Sequence, residues 1–134
     1  MELSKSYKGL VIWVIVYTVA LISLSFLKTE DEALLIRIMM NMTSVGIAVL
    51  AYMIYRTGRV YWYSGVEYEA AVQAGSERRK EYARKHFVRF ANTAGLYFAY
   101  TLISYLLKLH YGVDIAVAIF SLVGAAFSTM KFKL

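Results

Sequence analysis

The chain contains neither cysteine nor proline. Without cysteine it can form no disulfide, no thiolate metal site and no cysteine nucleophile. Without proline it lacks a residue that commonly interrupts the broken helices of membrane transporters. The sequence therefore favours uninterrupted helices and excludes chemistry that depends on a thiol.

Charge is also scarce. Asp, Glu, Lys and Arg together make up 18% of the 134 residues, whereas 60% of the residues are apolar. A soluble domain of this length would expose most of that apolar surface to water. The composition therefore predicts an integral membrane protein.

Four apolar runs are long enough to cross a bilayer as helices of about 20 residues. They cover about residues 8–27, 33–55, 88–109 and 113–130. The links after the first and third runs are short, which requires antiparallel neighbours. We therefore predict one all-α domain, an integral membrane four-helix bundle whose spans run up, down, up and down.

The long connection, about residues 56–87, lies on the basic side of the protein. Of the fifteen lysines and arginines, twelve lie on the side of this loop and the termini, and three lie on the other side. Because positive charge near span ends stays in the cytoplasm, we predict that the loop and both termini are cytoplasmic. The expected location is the inner (plasma) membrane of a bacterial cell, where anionic lipids would be partners of this face.

Helix signals divide the loop. Ser64 and Glu67 have the spacing of a capping box, which predicts a short amphipathic helix that Gly75 ends. Ser76, with an acidic residue after it, predicts the start of a second helix. Since nothing interrupts its pattern before Gly95, we expect this helix to continue into the third span.

The second loop helix is strongly basic. Its cations could form a docking surface for anionic lipid headgroups or an acidic protein partner, or they could be a solvated, passive determinant of topology. We expect no nucleic-acid partner, because no recognised binding module is present. The predicted docking residues are Arg78, Arg79, Lys80, Arg84, Lys85 and Arg89.

Small and polar residues inside the spans recur at steps of three and four, which puts them on one stripe of each helix. Such stripes let membrane helices approach closely, so they should face one another. They could also line a wet path for a small solute or ion, and the sequence leaves both interpretations open. The predicted seam consists of Ser44, Tyr97, Tyr100, Ser104, Ser121, Gly124 and Ser128.

Four polar residues near the outer ends of the spans form a predicted outer polar cluster: Arg37, Asn41, Lys108 and Asp114. An unpaired arginine within an apolar run is costly, and its planar guanidinium suits a carboxylate. We therefore predict a pair between Arg37 and Asp114. The alternative is snorkelling, in which Arg37 reaches the lipid phosphates instead.

The sequence does not predict an enzyme. His86 and His110 fall on opposite sides of the predicted membrane, so they cannot share a metal, and no nucleophile–base spacing is visible. We expect His86 to be solvated beside its basic neighbours and His110 to be a loop residue. The sequence predicts no catalytic residue, no metal site and no cofactor.

Residues 52–134 resemble small bacterial membrane proteins of the SdpI immunity type and related uncharacterised families. The likeness lies in the order of a span, a glycine-containing loop with YRTG at Tyr55–Gly58, the basic-aromatic run SERRKEYARKHFVRF, and two spans ending in FSTMKFKL. The resemblance implies a protective or signalling membrane protein rather than an enzyme.

Two functions follow from these features. The first is a non-enzymatic multi-pass membrane protein with an immunity, regulatory or accessory role, exerted through protein or lipid contacts. The second is a small channel or carrier for a solute or ion, acting as a homodimer because four short spans enclose little volume. A continuous polar cavity or measurable solute flux would favour the second.

Because the chain has no native cysteine, single-cysteine labelling can test the orientation. Ser76→Cys should react with a membrane-impermeant maleimide only from the cytoplasmic side, and Thr29→Cys only from outside. Labelling is compared between intact cells and inverted vesicles. The opposite pattern would overturn the predicted topology.

Overall fold

The computed structural model describes residues 5–27, 30–63 and 65–134. Two residues named above, Thr29 and Ser64, lie outside these ranges. The described residues form five α-helices and one turn of 3₁₀-helix, and they contain no strand. The α-helices are α1 (Lys8–Ser25), α2 (Glu32–Thr57), α3 (Tyr68–Ala74), α4 (Ser76–Leu107) and α5 (Tyr111–Thr129), and the 3₁₀ turn is Val60–Trp62.

Three of the described helices, α1, α2 and α5, are long and apolar enough to cross a membrane. They coincide with the first, second and fourth predicted spans, which confirms the all-α prediction and fits a membrane protein. The third predicted span, residues 88–109, falls almost entirely within α4, which is not among the three. Asn92, Thr93 and the tyrosines in the second half of α4 lower the hydropathy of that helix.

The helices of the loop follow the predicted pattern, apart from the start of α3. Gly75 separates α3 from α4 with a φ of 86°, a left-handed conformation that costs glycine little. α4 then runs without a break from Ser76 for 32 residues, so the second loop helix does continue into the third predicted span. The capping-box prediction is wrong, because Glu67 has an extended backbone and is the N-cap of a helix that begins at Tyr68.

Asp31 and Gly58 set the ends of α2. The Asp31 side chain accepts a hydrogen bond from the Leu34 backbone N–H at 3.0 Å, which satisfies one of the unpaired donors of the first turn. Gly58 ends the helix with a φ of 74°, and its N–H bonds back to the Ile54 carbonyl at 2.8 Å. Both ends of the longest apolar helix therefore carry caps.

α2, α4 and α5 pack side by side, with α4 antiparallel to both α2 and α5. At one end of the α2–α4 pair, Asn41 Nδ2 donates to Thr101 Oγ1 at 3.0 Å. At the other end, the rings of Tyr52 and Phe87 lie 5.4 Å apart. α5 follows α4 after a short turn and contacts both of the other helices.

The first described residues, the C-terminal segment and the loop meet at one end of the molecule, called here the terminus end. The Ser6 carbonyl accepts hydrogen bonds from the Tyr61 hydroxyl at 2.8 Å and from Trp62 Nε1 at 2.9 Å. Near the other terminus, Phe132 packs edge-on against His86 with ring centroids 5.3 Å apart. The same end holds a buried apolar cluster of Ile54, Val60, Tyr61, Ala71, Tyr82 and Ala83. The opposite end, where α2 and α5 begin, is called the Arg37 end.

α1 lies at the edge of the molecule and contains no buried residue among those described. The Trp13 and Tyr17 rings stack with centroids 5.2 Å apart, and the Tyr17 hydroxyl hydrogen-bonds to Thr43 Oγ1 of α2 at 2.6 Å. Gly46 lets these rings approach α2, since a Cβ there would lie 3.4 Å from Tyr17 and 3.5 Å from Trp13. The position of α1 therefore depends strongly on this aromatic face.

Replacing Gly46 with Leu should force α1 away from α2, because the larger side chain needs the space that Tyr17 and Trp13 occupy. We expect the free energy of unfolding to fall by about 1–3 kcal/mol, the usual cost of overpacking. Gly124→Leu is the matched control, because a Cβ at Gly124 meets none of the described atoms within 4 Å. Denaturant unfolding in detergent measures both variants, and equal losses would show that Gly46 has no special packing role.

Candidate functional site

A buried ion pair joins the beginnings of α2 and α5. Arg37 Nε donates to Asp114 Oδ2 at 2.6 Å. Both residues are enclosed, with 7% of Arg37 and 0% of Asp114 exposed. Asp114 lies in the first turn of α5, where a negative charge also complements the helix dipole. The structure therefore has the predicted pairing of Arg37 with Asp114, not snorkelling.

The same guanidinium also binds the end of α4. Arg37 Nη2 donates to the Leu109 carbonyl at 2.6 Å and lies 3.4 Å from the fully buried Ser104 hydroxyl. The Tyr105 ring centroid lies 6.0 Å from the Arg37 Cζ, within range of a cation–π contact. One arginine side chain thus contacts α4, α5 and the turn between them, in addition to its own helix.

A second layer of hydrogen bonds extends this site along the helices. Asn41 Nδ2 donates to the Arg37 carbonyl at 2.9 Å and to Thr101 Oγ1 at 3.0 Å. The Tyr97 hydroxyl donates to the Asp114 carbonyl at 3.0 Å. We call the six residues that these two layers join the Arg37 cluster: Arg37, Asn41, Tyr97, Thr101, Ser104 and Asp114.

Several enclosed polar atoms of this region have no hydrogen-bond partner among the described residues. They are Oδ1 of Asp114, Oδ1 of Asn41, the Ser44 hydroxyl and the Tyr100 hydroxyl. A buried polar atom without a partner costs about 1–3 kcal/mol. Because these atoms are enclosed, this layer of the seam is packed rather than open to solvent.

Lys108 is not part of the Arg37 cluster. It lies one residue beyond α4 with a φ of 55°, a left-handed conformation that ends the helix, and its side chain is exposed. Lys108 and Arg37 do line the same open cavity, of about 470 Å³, at the Arg37 end. The prediction that placed Lys108 in the cluster is therefore wrong. The spacing of residues in the sequence does not show that α4 ends just before Lys108.

The predicted seam is only partly present. Ser44, Tyr97 and Ser104 are buried between the helices, but Gly124 is exposed. The hydroxyls of Ser121 and Ser128 donate to carbonyls of their own helix, three residues earlier. The buried residues of α5 are instead Asp114, Ala118, Ala125 and Thr129. The prediction for α5 is wrong because the packed face runs through Ala125 and Thr129, one residue further along than Gly124 and Ser128, and residue size alone does not distinguish these two faces.

Arg79 is buried and does not belong to the predicted docking surface. Only 7% of it is exposed, and Nη1 donates to the Ala71 carbonyl at 2.8 Å. That carbonyl lies in the last turn of α3, where backbone acceptors lack partners and a cation is favourable. Arg79 therefore fixes α3 against α4. The other predicted docking cations are exposed or half-buried: Arg78, Lys80, Arg84, Lys85 and Arg89.

His86 is buried, so the prediction that it is solvated is wrong. Its ring centroid lies 4.3 Å from that of Tyr63 and 4.4 Å from that of Tyr82, and 3% of the residue is exposed. Nδ1 lies 2.9 Å from the Tyr82 carbonyl, and because a carbonyl only accepts, Nδ1 carries the hydrogen. Burial lowers the pKa of the His86 imidazole, and the hydrogen bond to Tyr82 opposes that shift. His86 is a buried member of the aromatic packing at the terminus end.

A signal for this burial is present in the sequence. Arg79, Tyr82, Ala83 and His86 are spaced at three and four residues, and all four are buried on one face of α4. The density of positive charge around them hides the stripe, because Arg78, Lys80, Arg84 and Lys85 alternate with it. A helical-face analysis of the loop, as for the spans, would have found it.

No protein-family model, no curated protein and no solved structure matches this chain. The resemblance to proteins of the SdpI immunity type therefore stays a prediction. What the geometry provides is a buried ion pair with its supporting hydrogen bonds at one end, and a basic, aromatic surface at the other.

Removing either partner of the Arg37–Asp114 pair should destabilise the fold. Arg37→Gln and Asp114→Asn should each lower the free energy of unfolding by roughly 3 kcal/mol, because each leaves a buried charge without its counter-ion. The double variant should lose less than the sum of the two. Unfolding by denaturant or steric trapping in bicelles measures all three variants.

Lys108→Gln is the matched control, since it removes an exposed cation from the same end of the molecule. We expect its effect to stay within about 0.5 kcal/mol, as for ordinary surface positions. Strictly additive losses in the double variant would contradict the pairing, as would a Lys108 variant as unstable as the Arg37 variant.

Proposed function

We propose that this chain is a non-enzymatic, four-span protein of the inner membrane that acts through contacts of its basic cytoplasmic surface. In this proposal α1, α2, the second half of α4 and α5 form an up-down-up-down bundle, and both termini are cytoplasmic. The terminus end is then the cytoplasmic end. The meeting of the first described residues and the C-terminal segment with the loop at that end supports this arrangement.

The length of α4 supports its division into a span and a cytoplasmic part. A helix of 32 residues is about 48 Å long, whereas the hydrocarbon core of a bilayer is about 30 Å thick. The excess falls on the charged first half of the helix. We call residues 76–87 the α4 arm; it is a rigid extension of a span rather than a flexible loop.

The proposal rests on where the charged groups lie: one ion pair is buried between the helices, and cations are exposed on the α4 arm. Inside the molecule, Arg37 and Asp114 pair with each other, and Arg37 also hydrogen-bonds to the turn between α4 and α5. On the surface, four cations of the α4 arm are exposed: Arg78, Lys80, Arg84 and Lys85. A packed interior with an exposed basic arm favours contact over transport.

The partner that best fits the arm is the anionic inner leaflet. A lysine or arginine near such a leaflet contributes about 1 kcal/mol. Two acids on the arm reduce its charge, and one of them, Glu81, lies 3.8 Å from Lys85. Both side chains of that pair are largely exposed, so the pair is weak and leaves Lys85 free to exchange partners. An acidic protein partner or a second copy of the chain would meet the same surface.

The channel or carrier alternative has less support. A wet path along the seam needs polar groups that face water, whereas Tyr97, Thr101 and Ser104 are buried. The hydroxyls of Ser121 and Ser128 are occupied by their own helix. The resemblance to the SdpI immunity type extends the proposal to a protective, regulatory or accessory role.

Reconstituted protein should add no ion or small-solute flux to vesicles, because the seam is packed. A spin label on Ser76→Cys should lie closer to the bilayer when phosphatidylglycerol is present than in pure phosphatidylcholine. High salt should reverse that shift, since it screens the attraction. Continuous-wave spin-label accessibility to oxygen and to a nickel chelate measures the depth of the label.

The matched control is the same label in a chain in which Arg78, Lys80, Arg84 and Lys85 are all changed to Gln. The label on that chain should show no response to phosphatidylglycerol. Saturable flux of a solute, or equal responses from the charged and neutralised arms, would argue against the proposed function.

A further inference from the structure

We infer that one face of α4 is a binding site for a single anionic glycerophospholipid, a site that rests on the proposed four-span orientation. An open groove of about 510 Å³ follows α4 from Arg84 to Leu96 and has Phe132 of the C-terminal segment as its other wall. We call it the α4 groove. Its chemistry changes in order along its length, and that order carries the inference.

The end nearest the α4 arm gathers positive charge around one ring. Lys85 Nζ lies 5.9 Å from the Phe132 ring centroid, Arg89 Cζ lies 5.8 Å from it and Lys131 Nζ also 5.8 Å. Arg84 lines the same end of the groove and is exposed. Cation–π contact holds these groups together although they repel one another. Such a cluster suits a phosphate, for which arginine is the preferred ligand.

The middle of the groove is polar and uncharged. Asn92 is exposed there, and its amide can donate to an ester carbonyl of a lipid. Thr93 Oγ1 donates its own hydrogen to the Arg89 carbonyl at 2.9 Å, so Asn92 is the donor of this part of the groove. The two ester carbonyls of a diester lipid only accept hydrogen bonds and therefore match the Asn92 amide.

The far end of the groove is apolar. Leu96, which is 74% exposed, offers hydrocarbon surface there that a lipid chain can cover. From Arg89 to Leu96 the helix rises about 10 Å. The interfacial region of a bilayer leaflet is about 5–8 Å thick, so this rise leads from headgroup to hydrocarbon. The groove therefore has the polarity profile of a phospholipid at the depth at which the proposed orientation places it.

A lipid accounts for the whole groove, whereas a free anion accounts for only part of it. Inorganic phosphate or glycerol phosphate would use the cations near Phe132 and leave the exposed surface of Leu96 without a role. A headgroup with net negative charge, such as phosphatidylglycerol, fits this site better than a zwitterionic headgroup does. The reason is its attraction to the cations Arg84, Lys85 and Arg89. The only carboxylate that the structure places in ion-pair contact with these cations, among the described residues, is the exposed Glu81.

Native mass spectrometry of the purified full chain can measure this site. Phosphatidylglycerol should bind at least about tenfold more tightly than phosphatidylcholine with the same acyl chains, a difference of about 1.4 kcal/mol. Arg84→Gln combined with Arg89→Gln should abolish that preference. Leu96→Ser should weaken phosphatidylglycerol binding several-fold, because it removes apolar surface from the acyl end of the groove.

The matched control is Lys8→Gln combined with Arg56→Gln. It removes the same charge from exposed positions that lie outside both the groove lining and the α4 arm. Its affinity for phosphatidylglycerol should stay within about twofold of the unchanged chain. Equal losses of phosphatidylglycerol affinity in the two double variants would show that binding depends on diffuse electrostatic attraction. Such a result would overturn the site. Displacement of phosphatidylglycerol by an equal concentration of glycerol phosphate would show an anion site without a lipid.

A second measurement keeps the test valid if the groove variants misfold. In the cysteine-free chain, a fluorophore on Asn92→Cys should be quenched more by brominated phosphatidylglycerol than by brominated phosphatidylcholine. Equal quenching by the two lipids overturns the inference. Failure of the proposed function would look different, because solute flux could appear while the lipid preference at the groove persists. Conversely, the spin label on the α4 arm could respond to phosphatidylglycerol while the groove variants bind this lipid as tightly as the unchanged chain. That result would overturn the groove site but not the proposed function.

Discussion

The contact between Arg37 and Asp114 is the constraint on which the arrangement of α2, α4 and α5 depends. In a low-dielectric interior neither charge is tolerable alone, so the pair holds the start of α2 against the start of α5. The second bond of the guanidinium, to the Leu109 carbonyl, holds the turn between α4 and α5 against α2. Replacing this pair with apolar residues could match its stability but would remove the geometry that fixes the three helix ends together.

The two ends of the molecule are held by different forces. The Arg37 end has an ion pair and a layer of directed hydrogen bonds, which are specific in angle and distance. The terminus end has an apolar cluster around Ile54 and Val60, and stacked rings around His86. Between them, small buried residues such as Ala51 and Ala94 let the helices approach. Among the cations of the α4 arm, the buried Arg79 joins α3 to α4, whereas Arg78, Lys80 and Arg84 are exposed.

Much of this fold was predictable, because caps and apolar runs act locally. The glycine at position 75 ends α3 and the serine at 76 begins α4, as the sequence indicates. The pair of Arg37 with Asp114 was also predictable, since an arginine in an apolar run needs an acid at the same depth. Arg79 and His86 were not recognised, because a run of positive charge looks solvated until the buried face of its helix is known. The prediction for Gly124 was wrong for a similar reason. The sequence shows that a row of residues on one helix face is small, but only packing decides which face contacts a neighbouring helix.

The two tryptophans of the chain both lie where α1 meets the rest of the molecule. Trp13 stacks on Tyr17 at the contact with α2, and Trp62 binds the Ser6 carbonyl and lies directly against Gly9. The α2–α4–α5 group has no tryptophan of its own. Tryptophan fluorescence therefore reports on the docking of α1 and, through Trp62, on the apolar cluster at the terminus end. The protein thus carries an optical reporter of this one contact region without any added label.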